Sequence, residues 1–179
     1  MADNVSTRPA TADDGKYDPA PAGPTLIVLA DVIDMGLRVE QFQDNPGRLV
    51  PKVALVFQTD ATNPGTRAPY EVSAEFTNSM HPKATLRAFL GNWRGKKFTD
   101  EEALKPVALA TLVGKCATGL VEHIVSRKGR TYGKLATVMP APKGAKLAVR
   151  DYVRGEQWEL RKADYVAEVS QFQAKPAVA

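Results

Sequence analysis

The chain has 179 residues, 44% apolar and 25% charged, with a formal net charge of +4 at pH 7 and a sequence pI of about 9.2. That length suits one ordinary domain plus tails, and that composition is one of a soluble globular protein; no apolar run approaches the ~20 residues of a membrane span. One cysteine, Cys116, excludes an internal disulfide and a Cys-cluster metal site, and its apolar strand-start context makes it an inert thiol.

The first 24 residues, rich in Ala, Pro, Asp and Thr, read as a disordered tail without a basic-then-apolar export pattern, so a cytoplasmic location is expected. Thr25 to Asp34 (TLIVLADVID) is a continuous apolar, β-branched run ended by Met35-Gly36, as for a strand buried on much of both faces. A polar connection follows, with turn signals at Asp44-Asn45-Pro46-Gly47. Lys52 to Thr59 is a second strand with Val53, Leu55 and Phe57 on one side. Tyr70 to Thr77 is a third, its Tyr70, Val72, Ala74 and Phe76 alternating with a wet face of Glu71, Ser73 and Glu75. The period then changes. Leu86, Phe89, Leu90 and Trp93 recur at helical spacing over Pro82 to Trp93, with Gly95 as the stop, and Thr99-Asp100-Glu101-Glu102 is a capping box opening a short helix to about Leu104.

Lys115 to Val125 and Arg130 to Val138 then form two strands joined by the tight turn Ser126-Arg127-Lys128-Gly129. Arg130, Tyr132 and Lys134 stand at alternate positions and share one face. An aromatic flanked by two cations on a pleated surface suits a stacked, negatively charged polymer, although a solvated hairpin whose Tyr covers a core edge would carry the same residues. Beyond Pro140 come a Pro/Lys/Gly segment, a strand signal near Trp158 and a helix signal over Arg161 to Phe172; Lys175 to Ala179 are expected to fray. Charge is segregated along this order. Between Met80 and Arg150 there are fourteen basic and four acidic residues, a surplus of ten, so with a total of +4 the remainder carries −6. Such segregation suggests a polyanion-binding surface.

Three strands, a helical insert and two strands is the order of an OB-fold, a five-stranded, partly open barrel with a helix between strands three and four. The expected organisation is a tail over 1–24, a mainly β (α+β) OB-fold domain over 25–150 and a C-terminal extension over 151–179. Five motifs in order support a resemblance: Leu90-Gly91-Asn92-Trp93-Arg94-Gly95, Phe98-Thr99-Asp100-Glu101-Glu102, Leu112-Val113-Gly114-Lys115-Cys116, Gly129-Arg130-Thr131-Tyr132 and Pro140-Ala141-Pro142-Lys143-Gly144. With Asp31-Val32-Ile33-Asp34-Met35-Gly36 upstream, the stretch from Thr25 to Gly144 resembles a family of tailed-phage and prophage proteins regarded as OB-fold single-stranded DNA-binding proteins. The chain departs from that pattern at Pro106-Val107-Ala108, where a Phe-Asp pair is usual, and in lacking an acidic, Leu-Pro-containing ending.

The resemblance implies sequence-independent binding of single-stranded DNA in phage replication or recombination within a bacterial host, with phage or host replication and recombination proteins as further partners. Backbone-tracking candidates are Arg94, Lys96, Lys97, Arg127, Lys128, Arg130 and Lys134, and Tyr132 is the leading base-stacking candidate. Phe42, in the polar first connection, is a second; Trp93, on the apolar stripe of its helix, either stacks or packs in the core. On the second and third strands, where OB-folds present their binding face, Phe57 favours the core and Tyr70 is balanced between core packing and the binding face. No Walker loop, Gly-x-Ser-x-Gly or Rossmann fingerprint is present, and His81 and His123 lack metal-ligand spacing, so no catalysis, cofactor or metal is expected. Two other readings keep the same fold: an interaction module whose basic face docks an acidic replication or recombination partner, and a small nuclease, for which the basic half lacks clustered carboxylates.

Overall fold

A computed structural model describes residues 18–175. Five strands, β1 (Gly23–Glu40), β2 (Arg48–Thr62), β3 (Pro69–Thr77), β4 (Cys116–Val125) and β5 (Thr131–Pro140), form one antiparallel sheet in the order β3-β2-β1-β4-β5. Helices α1 (Thr85–Arg94) and α2 (Asp100–Ala103) and a 3-10 turn at Leu109–Leu112 lie between β3 and β4 in the chain, and α3 (Gln157–Ala174) follows β5. β3 and β5 approach each other at the ends of the sheet, but no ladder joins them among the described residues.

Strand β1 runs further than its apolar run suggests. Gly36 does not stop it: with φ +72° it sits at a register shift between Asp34 and Gly36, and the Asp34 carboxylate accepts the Gly36 N–H at 2.9 Å. The bulge bends the strand and lets Leu37 to Glu40 continue pairing, Leu37 with Pro51 through to Glu40 with Arg48 on β2.

The inner face of the sheet buries Ile27 and Leu29 from β1, Val53, Leu55 and Phe57 from β2, Tyr70, Val72 and Phe76 from β3, and Val121, Leu135 and Val138 from the β4–β5 hairpin. Helix α1 closes this core with Leu86, Phe89, Leu90 and Trp93, the residues at its helical spacing. The aromatic rings meet tilted, Phe57 to Trp93 at 5.5 Å and Phe76 to Phe89 at 4.7 Å between centroids. Such pairs contribute ~0.5–1.5 kcal/mol each beyond their buried area. Gly95 ends α1 in the left-handed region at φ +74°, and Thr99 and Glu102 make both bonds of the capping box on α2.

Two expectations are corrected at the chain ends. Part of the supposed tail is packed: Ala20 is 1% exposed in the core, the Tyr70 hydroxyl bonds the Asp18 carboxylate, and the His123 ring meets the Ala20 carbonyl at 2.8 Å. Residues 1–17 and 176–179 lie outside the described residues, as does most of the fraying expected at the C-terminus. At the other end, Trp158 is in the first turn of α3 and not in a strand. Its ring is buried on the outer face of the sheet with Ile33, Met35, Ala54 and Val56, and α3 lies along that face. The outer side of β3 is therefore covered at Glu75: the Tyr165 hydroxyl donates to Glu75 Oε1 at 2.5 Å, and Arg161 Nη2 lies 3.1 Å from Glu75 Oε2.

Candidate nucleic-acid interface

The β4–β5 hairpin is built as its alternation requires. Gly119, Val121, Gly133 and Leu135 face the core, and Ile124 and Tyr132, cross-strand partners, face outward with Glu122 and Lys134 as the next pair. Gly119 and Gly133 are small because the inner space is full; an added Cβ at Gly119 would fall 2.8 Å from Leu135 Cδ1 and 2.9 Å from Ile27 Cδ1. The turn closes by Ser126: its N–H donates to the Arg130 carbonyl at 2.8 Å, its carbonyl accepts from Gly129, and its hydroxyl accepts the Arg130 N–H at 3.1 Å. Gly129 takes φ +75°. Arg127, Lys128 and Arg130 thus project from a fixed tip, exposed and in no ion pair among the described residues. Tyr132 is half-buried on the outer face, its ring held by the sheet beside Ile124 and Lys134.

A different chemistry governs the cations after α1. Arg94 is committed to its own neighbourhood. It pairs with Glu102 Oε2 at 2.6 Å, donates to the Lys96 and Lys97 carbonyls at 2.7 and 2.8 Å, and stacks 3.7 Å over the Phe98 ring. This pairing, with the Thr99 amide as the second cause, holds the Glu102 carboxyl down to about 2. Arg94 therefore fastens α1 to α2 and offers little to a phosphate, whereas Lys96 and Lys97 are exposed and make no close ion pair among the described residues. Trp93 is likewise taken out of the set. It is 8% exposed, its indole N–H donates to the Cys116 carbonyl at 2.8 Å, and its ring packs on Phe57, so it is a core residue and not a stacking platform.

No protein-family model, curated protein or solved structure matches this chain.

The sites expected from the sequence therefore separate. Arg127, Lys128, Arg130, Tyr132 and Lys134 are brought together on the hairpin. Lys96 and Lys97 lie at its other end, where Gly95 abuts Pro140, an added Cβ falling 2.9 Å from Pro140 Cγ. Phe42, 64% exposed, is in the connection after β1, at the end of that 18-residue strand far from the hairpin tip, because Gly23 at the start of β1 pairs with Val121. The sequence did not single out Lys115, Lys143 and Lys146, although all three sit where chain segments converge on the hairpin base: Leu147 and Cys116 exchange backbone-to-sulfur bonds of 3.3 and 3.4 Å. Their signal was the charge surplus of that whole stretch. Of its four acids, Asp100 and Glu102 are matched by Arg87 and Arg94, leaving Glu101 and Glu122 against the twelve other cations. No three His, Cys, Asp or Glu side chains are placed to hold a metal ion among the described residues, and no described helix is long and apolar enough to cross a membrane.

Proposed function

We propose that the chain is a non-catalytic, sequence-independent single-stranded DNA-binding protein with an OB-type fold, serving DNA replication or recombination of a phage in the bacterial cytoplasm. The observation that carries this reading is the β4–β5 hairpin, where three exposed tip cations, Lys134 and the half-buried ring of Tyr132 occupy one projecting surface. The sheet order with β1 at its centre and the position of α1 and α2 between β3 and β4 support the OB-type assignment. Tyr132 supplies a π-face to any base and the cations hold the backbone, a combination that binds single strands without reading base edges. An acidic protein partner would meet the same cations but has no use for the half-buried ring beside them.

A fluorescence titration with oligo-dT at several salt concentrations, against duplex DNA of equal length, tests the proposal. Single-strand binding whose log K falls linearly with log salt is the expected result; each neutralised phosphate contributes a slope of about −0.7. Absence of binding at low salt, in a folded protein, would overturn it in favour of the protein-interaction module.

A further inference from the structure

We infer that the bound strand runs lengthwise along the outer face of the β4–β5 hairpin, from the tip cations to a second cation group at its base, and not across β2 and β3. This rests on the single-stranded DNA reading above and specifies the surface it uses. In OB-folds the strand 2–3 face and the loops flanking it are the usual binding surface. Here that surface is closed in two ways.

First, it is occupied. After Pro140 the chain crosses the outer side of the sheet. Leu147 is held at Cys116 of β4; the Gln58 side chain of β2 then clamps the Arg150 backbone, donating to its carbonyl and accepting its N–H, each at 2.8 Å. Helix α3 continues along β1 and β2 until the Phe172 ring lies against Gly47, 3.1 Å from where a Cβ would stand, in the connection that carries Phe42. Second, its charge is wrong for a polyanion. Asp31, Glu71 and Glu75 face outward from β1 and β3, and the cations that meet the first and last of them, Arg154 at 2.7 Å and Arg161 at 3.1 Å, belong to the chain itself. Stripping the cover would expose carboxylates.

The β4–β5 half of the same outer face has the opposite character. Its middle is nearly uncharged, with Tyr132 and Ile124, then Leu120 with Thr137, then Met139 with Thr118; Glu122, opposite Lys134, is its one acid. Its two ends are cationic: Arg127, Lys128 and Arg130 at the tip, and at the base Lys96, Lys97, Lys115, Lys143 and Lys146, all exposed. The ten-residue strands separate these ends by about 33 Å at 3.3 Å per residue. A floor of aromatic and aliphatic side chains between two phosphate-holding ends fits a single strand with bases laid inward. The covering segment, which carries Lys143 and Lys146, forms the edge where that floor stops.

The test uses the full-length protein and labelled oligo-dT, with the variant Lys96→Gln/Lys97→Gln/Lys143→Gln and, separately, Phe42→Ala. The triple variant should lower the log–log salt slope by about 2, at about 0.7 for each of three phosphates. Phe42→Ala should leave affinity within about twofold, since a ring contributes by stacking only where a base is present. Lysine acetylation read by mass spectrometry on the unaltered protein should show Lys96, Lys97, Lys115, Lys143 and Lys146 protected by oligo-dT. An unchanged slope in the triple variant, weaker binding by Phe42→Ala, or base lysines acetylated equally with and without DNA would overturn the lengthwise path while leaving single-strand binding intact. Absence of oligo-dT binding by the unaltered protein would remove both.

Discussion

Tyr132 is the most informative single position. Its ring is half-buried and its sheet neighbours fix its orientation, so Tyr132→Ala should weaken oligo-dT binding by ~1–3 kcal/mol while changing stability little, and Tyr132→Phe should retain most of the affinity because stacking uses the ring and not the hydroxyl. Trp93→Ala should behave inversely. Emptying a fully packed site beside Phe57 costs ~3–5 kcal/mol of folding stability, read as a large fall in the denaturant midpoint, with oligo-dT affinity unchanged wherever the variant is folded. Tyr70 adds a pH dependence. Burial first, and the Asp18 carboxylate second, push its phenol up to about 12. Above pH 10 the unfolded chain loses this proton and the folded protein keeps it, so stability should decline between about pH 10 and 12; ultraviolet titration would show the Tyr70 phenol ionising above its ordinary value or together with unfolding.

The elements differ in how plainly the sequence announces them. Periodicity marked α1, the alternation of β2 and β3 marked their inner faces, and the capping box marked α2, because each depends on residues within a few positions of one another. What stayed hidden depends on partners far along the chain. Gly36 looks like a strand terminator until β2 is seen to pair on both sides of the bulge, Val53 with Asp34 and Lys52 with Gly36, and Glu75 looks solvated until a helix some 90 positions later lies over it. Among the site residues, alternation alone grouped Arg130, Tyr132 and Lys134, whereas separating Arg94 from Lys96 and Lys97 needed the sight of Glu102 and Phe98 around its guanidinium. Gly95 tests the end of α1. Gly95→Ala would place a side chain in the left-handed region, at ~1–2 kcal/mol, and against Pro140 as well. A fall in thermal midpoint is the expected outcome, together with weaker DNA binding if Lys96 and Lys97 are displaced.

At the scale of the whole molecule, the outer surface of the sheet is divided between an acidic half that the chain covers with its own arginines and an open half with cations at both ends. This division says where ligand charge is tolerated. Charge reversal at Arg154, which grips Asp31 through two N–H groups at 2.7 and 2.8 Å, should loosen α3 and lower stability, yet shift the salt dependence of DNA binding far less than removal of the hairpin cations.

The packed segment at Asp18 and Ala20 has a consequence in time. It bridges β3 at one edge of the sheet and the β4–β5 hairpin at the other, meeting Tyr70 of β3 and His123 of β4, across sequence separations of 52 and 103 residues. Bringing such distant stretches together carries a loop-closure entropy that is recovered only after the strands they join exist. The seam should therefore form last on refolding and open first in the native protein. In a hydrogen-exchange time course, the amides flanking Ala20 would exchange well ahead of those in the centres of β1 and β2.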